Sequence, residues 1–218
     1  MKTYRLACFV GLIVAACSPT SDYTKTDGGP NNPAAKGQVY AYNFDAAPTG
    51  ALPSELAHVL GDWRVSEGAQ GRFLEQTGEF HTADFPRVVL KDIAFTNVHA
   101  KVRCSMRAGE TDRACGLMWR FVDSDNYYLT RANSLEDNVR FYKVVDGDRE
   151  ELASRDIKIP AGDWHTLEAF MEGTHVRVVW DGQTVIEDDD RTFQVGKVGL
   201  WTKADSVTSF DDLEATEL

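Results

Sequence analysis

The chain predicts an all-β fold, a two-sheet antiparallel jelly-roll sandwich, and three observations carry that expectation. Strand follows strand from Val39 onward with two-residue alternation, clearest in VHAKVRCSM (98–106), where Val98, Ala100, Val102, Cys104 and Met106 share one face. Asp146-Gly147 and Asp181-Gly182 sit between β-rich runs, and such pairs favour tight hairpins because both residues tolerate positive φ. Apart from a short turn near Pro53–Leu60, no segment shows the 3.6-residue period of an amphipathic helix. Roughly a dozen or more antiparallel strands then close into two packed sheets.

The elements follow in order. Lys2 and Arg5 precede an apolar run from Leu6 to Ala16. A membrane-spanning helix needs roughly 20 such residues, so residues 1–16 are expected to be a signal peptide. The small residues Val14-Ala15-Ala16 before Cys17 resemble the lipobox of bacterial lipoproteins. That resemblance implies that Cys17 is lipidated and becomes the mature N-terminus. Ser18 in the next position implies an outer-membrane destination, with the domain facing the periplasm or the exterior. Residues 17–37 are polar and rich in Gly, Pro, Asn and Thr, which fits a disordered tether of roughly 25 Å. Residues 38–218 form the sandwich domain. Glu172-Gly173-Thr174 and Ala204-Asp205 read as further turns.

Net charge is −11, and −13 once Lys2 and Arg5 leave with the leader. Such a surface excludes nucleic acid as a natural partner and leaves membrane attachment to the lipid. Of four cysteines, Cys8 leaves with the leader and Cys17 takes lipid. Cys104 and Cys115 remain as a disulfide pair in an oxidising compartment.

A register follows if 97–107 and 114–122 pair as a hairpin. Cys104 then faces Cys115, Val102 faces Leu117, Ala100 faces Trp119 and Val98 faces Phe121, so that one face is wholly apolar. Extending the sheet places Phe121 opposite Leu129, Leu129 opposite Phe141, and Tyr128 opposite Tyr142. The other face gains the row His99–Arg120–Thr130–Arg140, flanked by Lys101, Tyr128 and Tyr142. Trp201 and Lys203 share a parity opposite to Val198 and Leu200 and are expected on an outer face. Guanidinium forks match vicinal hydroxyls or carboxylates, and tyrosine adds a stacking face, so this row is the candidate carbohydrate-binding surface. A solvated convex sheet face is the plain alternative. On the binding reading, Arg120→Ala should weaken glycan retention and leave unfolding nearly unchanged.

Catalytic signals are weak. Glu136-Asp137, Asp146, Asp148 and the run Glu187–Asp190 lie in or beside turns, and no nucleophile elbow, phosphate loop or metal-binding histidine spacing occurs. No cofactor is called for, although Asp45 with Asp211 and Asp212, on the first and last strands, offers hard oxygen ligands for Ca²⁺.

The segments CGLMWRFVDSDNYYLTRANSLEDNVRFYKVVDG, IPAGDWHTLEA and GKVGLWTKADSVTSFDDLEA resemble concanavalin A-like lectin and glucanase sandwiches. Within those, the chain is most similar to the 3-keto-disaccharide hydrolase domain family and its laminin-G-like relatives. The resemblance implies a jelly roll whose concave sheet meets carbohydrate, with Arg120 in contact with ligand. It supplies no catalytic base. The leading expectation is a lipid-anchored glycan-binding sandwich. Cleavage of 3-keto-glycosides is the enzymatic alternative, and an adaptor for a protein partner is a third.

Overall fold

The computed structural model describes residues 32–218. The leader, Cys17 and most of the tether lie outside the described residues. The first strands are β1 (Asn32–Pro33), β2 (Val39–Tyr42), β3 (Leu56–Leu60), β4 (Trp63–Gly68), β5 (Gly71–Gln76), β6 (Arg87–Leu90), β7 (Ile93–Ala94) and β8 (Val98–Ala108). There follow β9 (Ala114–Asp123), β10 (Asn126–Asn133), β11 (Asn138–Val145), β12 (Asp148–Asp156) and β13 (His165–Glu172). The last are β14 (His175–Trp180), β15 (Gln183–Asp189), β16 (Lys197–Trp201) and β17 (Val207–Glu217). Among the described residues there is no helix.

Two antiparallel sheets make the jelly-roll sandwich. One has seven strands in the order β12-β11-β10-β9-β16-β6-β3. The other has eight, β15-β14-β13-β8-β17-β5-β4 with β2 added on β17. The expected hairpins form at Asp146-Gly147 and Asp181-Gly182, where all four residues have positive φ. Residues 53–60 turn once at Pro53–Leu56 and continue as β3, not as a helix. The ordered domain begins before residue 38: Asn32 and Pro33 pair with Ile93 and Ala94, and Gly37 N–H donates to Glu217 O.

The core lies between the sheets. Val98, Ala100, Val102, Cys104 and Met106 of β8 all point into it, as their alternation requires. From the seven-stranded sheet come Cys115, Leu117, Trp119, Tyr128, Phe141, Val198 and Leu200. Cys104 and Cys115 are joined by a disulfide, with Cα atoms 6.4 Å apart.

The predicted hairpin between those cysteines does not form. β8 pairs with β13 and β17, whereas β9 pairs with β10 and β16. The two sulfurs meet across the sandwich, so the bond staples one sheet to the other. Apolar pairing cannot separate these cases, because a strand facing another across the core needs the same inward set as one beside it. The onward register also shifts: Leu129 pairs with Met118 and Tyr142, and Tyr128 with Trp119 and Lys143.

Candidate functional site

The row of cationic and aromatic residues expected on one face is divided by this topology. His99 and Lys101 lie on the outer face of the eight-stranded sheet. His99 is bonded to Glu168 at 2.8 Å and stacked on Phe170, and Lys101 lies 3.8 Å from Glu214. Thr130 and Tyr128 point inward. Burial pushes the Tyr128 phenol up to about 12, and it donates to Asp190 while accepting from Phe193 N–H. Burial would raise Asp190, but Thr192, Tyr128 and Lys143 outweigh it and hold the carboxyl near 2.

Arg120 is a larger correction, because it is 2 % exposed and holds the fold together. Its Nε donates to Thr96 O at 3.0 Å, Nη2 to Thr96 O at 2.6 Å and Gly173 O at 2.9 Å, and Nη1 to Phe193 O at 2.7 Å. The cause is a β-bulge. Arg120 has φ 44°, and the pairings of β9 with both neighbours slip beside it. Gly196 permits this close approach, since a Cβ there would stand 2.4 Å from the Arg120 carbonyl carbon. The slip carries Phe121 to the outer face and turns the guanidinium toward the β13–β14 turn of the opposite sheet.

The other face of the seven-stranded sheet gathers the remaining expected residues with several that the alternation did not single out. Arg140 and Tyr142 of β11 lie beside Arg131 and Leu129 of β10, Met118 of β9 and Trp201 of β16. Phe85, two residues before β6, stacks on Trp201 with centroids 5.3 Å apart. Gly116 makes room for that indole, because a Cβ there would lie 2.9 Å from Trp201 Cε3. Lys203 stands at one end, bonded to Asp112 at 2.9 Å.

This face is a trough. β12 and β6 are separated by five strand spacings, about 24 Å along a flat sheet. Yet Arg149 of β12 lies 5.0 Å from the Phe85 ring centroid and 4.7 Å from that of Tyr142. The sheet must curl for one side chain to reach both. Arg87 of β6 bonds Ser124 O at 2.7 Å and the Tyr127 hydroxyl at 3.2 Å, closing the same curve lower down.

The trough is electrostatically ordered. Arg131 bonds Glu136 at 2.8 Å and Asn138 at 2.6 Å, and Arg140 lies 3.4 Å from Glu136 and 3.2 Å from Glu151. Burial would raise Glu136, but the Arg131 and Asn138 hydrogen bonds and the two guanidinium charges outweigh it and hold it low. Burial raises the Tyr127 phenol against the opposing charge of Arg87. Arg149 has no carboxylate partner among the described residues, and its Nη1, with Nε of Arg87 and of Arg140, has no hydrogen-bond acceptor. An alternating set of guanidiniums, carboxylates and ring faces is suited to neutral polyhydroxylated ligands.

On the other sheet, Asp45 accepts from Arg72 N–H and Asp212 from Arg103. Among the described residues, no three His, Cys, Asp or Glu side chains are placed to hold a metal ion. No helix of the described residues is long and apolar enough to cross a membrane.

The fold has solved counterparts. Carbohydrate-binding module CBM66 from Bacillus subtilis superposes with TM-score 0.65 at 20 % identity, over 77 % of this chain and 99 % of that one. A Bacillus licheniformis β-glucanase gives 0.59 at 12 % identity, over 84 % and 99 %. The Crh5 transglycosylase in complex with NAG gives 0.61 at 14 % identity, over 86 % and 87 %. In sequence, the chain is 26 % identical over 144 residues to a levanase of Bacillus subtilis (strain 168). The match covers 65 % of this chain but only 20 % of that relative, so the chain corresponds to about a fifth of the levanase. No family model matches the chain.

Proposed function

We propose that the protein is a carbohydrate-binding sandwich that takes glycan in the trough of its seven-stranded sheet. The observation that carries this is Arg149, a guanidinium lying on Tyr142 and Phe85 without a carboxylate partner, beside the half-exposed Arg140, Glu136 and Glu151. Arg140 and Arg149 donate to ring or hydroxyl oxygens, Glu136 and Glu151 accept from hydroxyls, and the part-exposed Phe85 meets the apolar face of a sugar, while Tyr142 lies buried beneath Arg149. The similarity to a levanase segment and to a carbohydrate-binding module supports this reading.

Binding without cleavage is the reading favoured over 3-keto-glycoside hydrolysis. Both trough glutamates are clamped by arginine, and Glu136 is held low, which leaves it a weak base for the C–H beside a 3-keto group and no proton donor for ordinary glycoside cleavage. We propose further that Cys17 carries lipid and holds the domain at the cell envelope, on the periplasmic or outer side of the outer membrane.

The test is affinity electrophoresis of the full chain through gels containing levan, mixed-linkage β-1,3-1,4-glucan or N-acetylglucosamine oligomers. At least one should retard the protein, and Arg149→Ala and Arg140→Ala should each weaken retention about tenfold with unchanged thermal unfolding. Retention that survives both substitutions rules out the trough. Reducing-sugar release from a retained polysaccharide would replace binding with hydrolysis.

A further inference from the structure

We infer a second sugar site on the opposite side of the sandwich, in a cavity of about 250 Å³ on the outer face of the eight-stranded sheet. It is lined by the β4–β5 hairpin over residues 68–71, Phe73 of β5, Arg107 of β8, Asp211 of β17 and Trp164 just before β13. Leu74, Met106 and Phe210, the sequence neighbours of three of these, point into the core. Alternation therefore turns Phe73, Arg107 and Asp211 outward, away from the trough.

The cavity is built rather than incidental. Phe73 and Trp164 meet edge to face, with centroids 6.0 Å apart and planes at 71°, forming an aromatic corner. Arg107 lies 4.8 Å over the Phe73 ring and makes no ion pair among the described residues. Arg103, 5.1 Å over Trp164, is held by Asp212 at 3.0 Å. At Gly68 the hairpin carries no side chain that would crowd this space, since a Cβ there would stand 3.0 Å from Phe73 Cε1, and Ala69 and Gln70 close its tip. Asp45 fixes that hairpin by accepting from Arg72 N–H at 3.0 Å, and Gly71, with φ 113°, leaves the carboxylate room to do so.

These groups define the ligand class. The part-exposed Trp164 indole, backed by the buried Phe73 ring, takes the C–H face of a sugar ring, the unpaired Arg107 fork donates to vicinal oxygens, and the Asp211 carboxyl accepts from or donates to a hydroxyl. Arg107 and Asp211 balance in charge, as do Arg103 and Asp212, which favours a neutral ligand over an anionic one. The volume falls below the roughly 300 Å³ at which pockets for drug-sized ligands begin, so the site takes a single ring or chain end. It stands on its own chemistry and does not require the trough to bind glycan.

Trp164 is the reporter, because Trp63, Trp119, Trp180 and Trp201 are all buried. The experiment follows indole N–H resonances of the ¹⁵N-labelled full chain during titration with d-fructose, d-glucose, d-galactose and d-mannose, each taken into the millimolar range. At least one sugar should move the Trp164 resonance saturably. Arg107→Ala should weaken that response about tenfold, Gly68→Val should abolish it, and Arg149→Ala should leave it intact. Arg107 is exposed and unpaired, so its alanine variant keeps the test free of folding effects. The inference is overturned if none of the sugars moves Trp164, or if the response is lost with Arg149 and kept without Arg107. The latter outcome leaves trough binding standing, whereas a Trp164 response with no retention on any polysaccharide removes the trough and keeps this site.

Discussion

Arg120→Ala should cost stability, and the size of the loss follows from its partners. The guanidinium makes four hydrogen bonds of 2.6–3.0 Å to three main-chain carbonyls in three separate segments, at Thr96, Gly173 and Phe193. Hydrogen bonds to a charged group contribute about 1.5–3 kcal/mol, and each buried carbonyl left alone costs about 1–3 kcal/mol. These terms overlap, so about 3–5 kcal/mol is expected, the range for breaking a buried charged network. Because φ is 44° at this position, Arg120→Gly relieves backbone strain that alanine retains and should be milder by about 1 kcal/mol. Lysine keeps the charge but cannot span three carbonyls and should fall between wild type and alanine. Urea unfolding followed by circular dichroism, with slopes compared to confirm two-state behaviour, gives all three values. A loss below about 1 kcal/mol for alanine would refute the clamp, and glycine less stable than alanine would refute the strain at φ 44°.

Asp211 gives a pH signature. Burial, then the charges of Asp212 and Asp45, push its carboxyl up to about 6 against Arg103 and a hydrogen bond from Asp212 N–H. A folded-state value above the unfolded one means that ionisation opposes folding. The wild type therefore loses stability as pH rises from about 4 to about 6, and no more above that. Asp211→Asn should match wild type near pH 4 and exceed it by about 2 kcal/mol at neutral pH, read from paired thermal melts. Replacing both Cys104 and Cys115 by alanine should cost about 2–3 kcal/mol, and dithiothreitol should lower the wild-type melting point but leave the double variant unchanged. Gly116→Val drives a side chain against Trp201 and Leu129, with an expected cost of about 1–3 kcal/mol and a red-shifted tryptophan emission.

The sequence makes orientation legible and partnership opaque. Alternation in 98–106 identifies the inward residues of β8, and the two Asp-Gly pairs mark real hairpins. The pairing of Cys104 with Cys115 is correct, but its geometry is not, because an inward residue does not reveal whether its neighbour stands beside it or across the core. The error then spreads. A single bulge at Arg120 inverts the parity of the rest of β9, so that Phe121 faces out and Arg120 turns toward the opposite sheet. Nothing local in WRFVD announces that inversion. Of the expected binding residues, Arg140 keeps a part-exposed side chain in the trough, whereas Tyr142 and Trp201 lie buried beneath Arg149 and Phe85, and Lys203 is tied to Asp112. Arg149 and Phe85 escaped notice because only the curl of the whole sheet brings them together.

The stitching of β1 and β2 bears on mechanics. A pull on the N-terminal side of the domain meets β1 on β7 first and then β2, which lies along β17. Those two short strands, of two and four residues, can peel away one residue at a time, and the load then passes to β3 of the facing sheet. However far the domain is drawn out, the segment between Cys104 and Cys115 adds no length, because the disulfide short-circuits it.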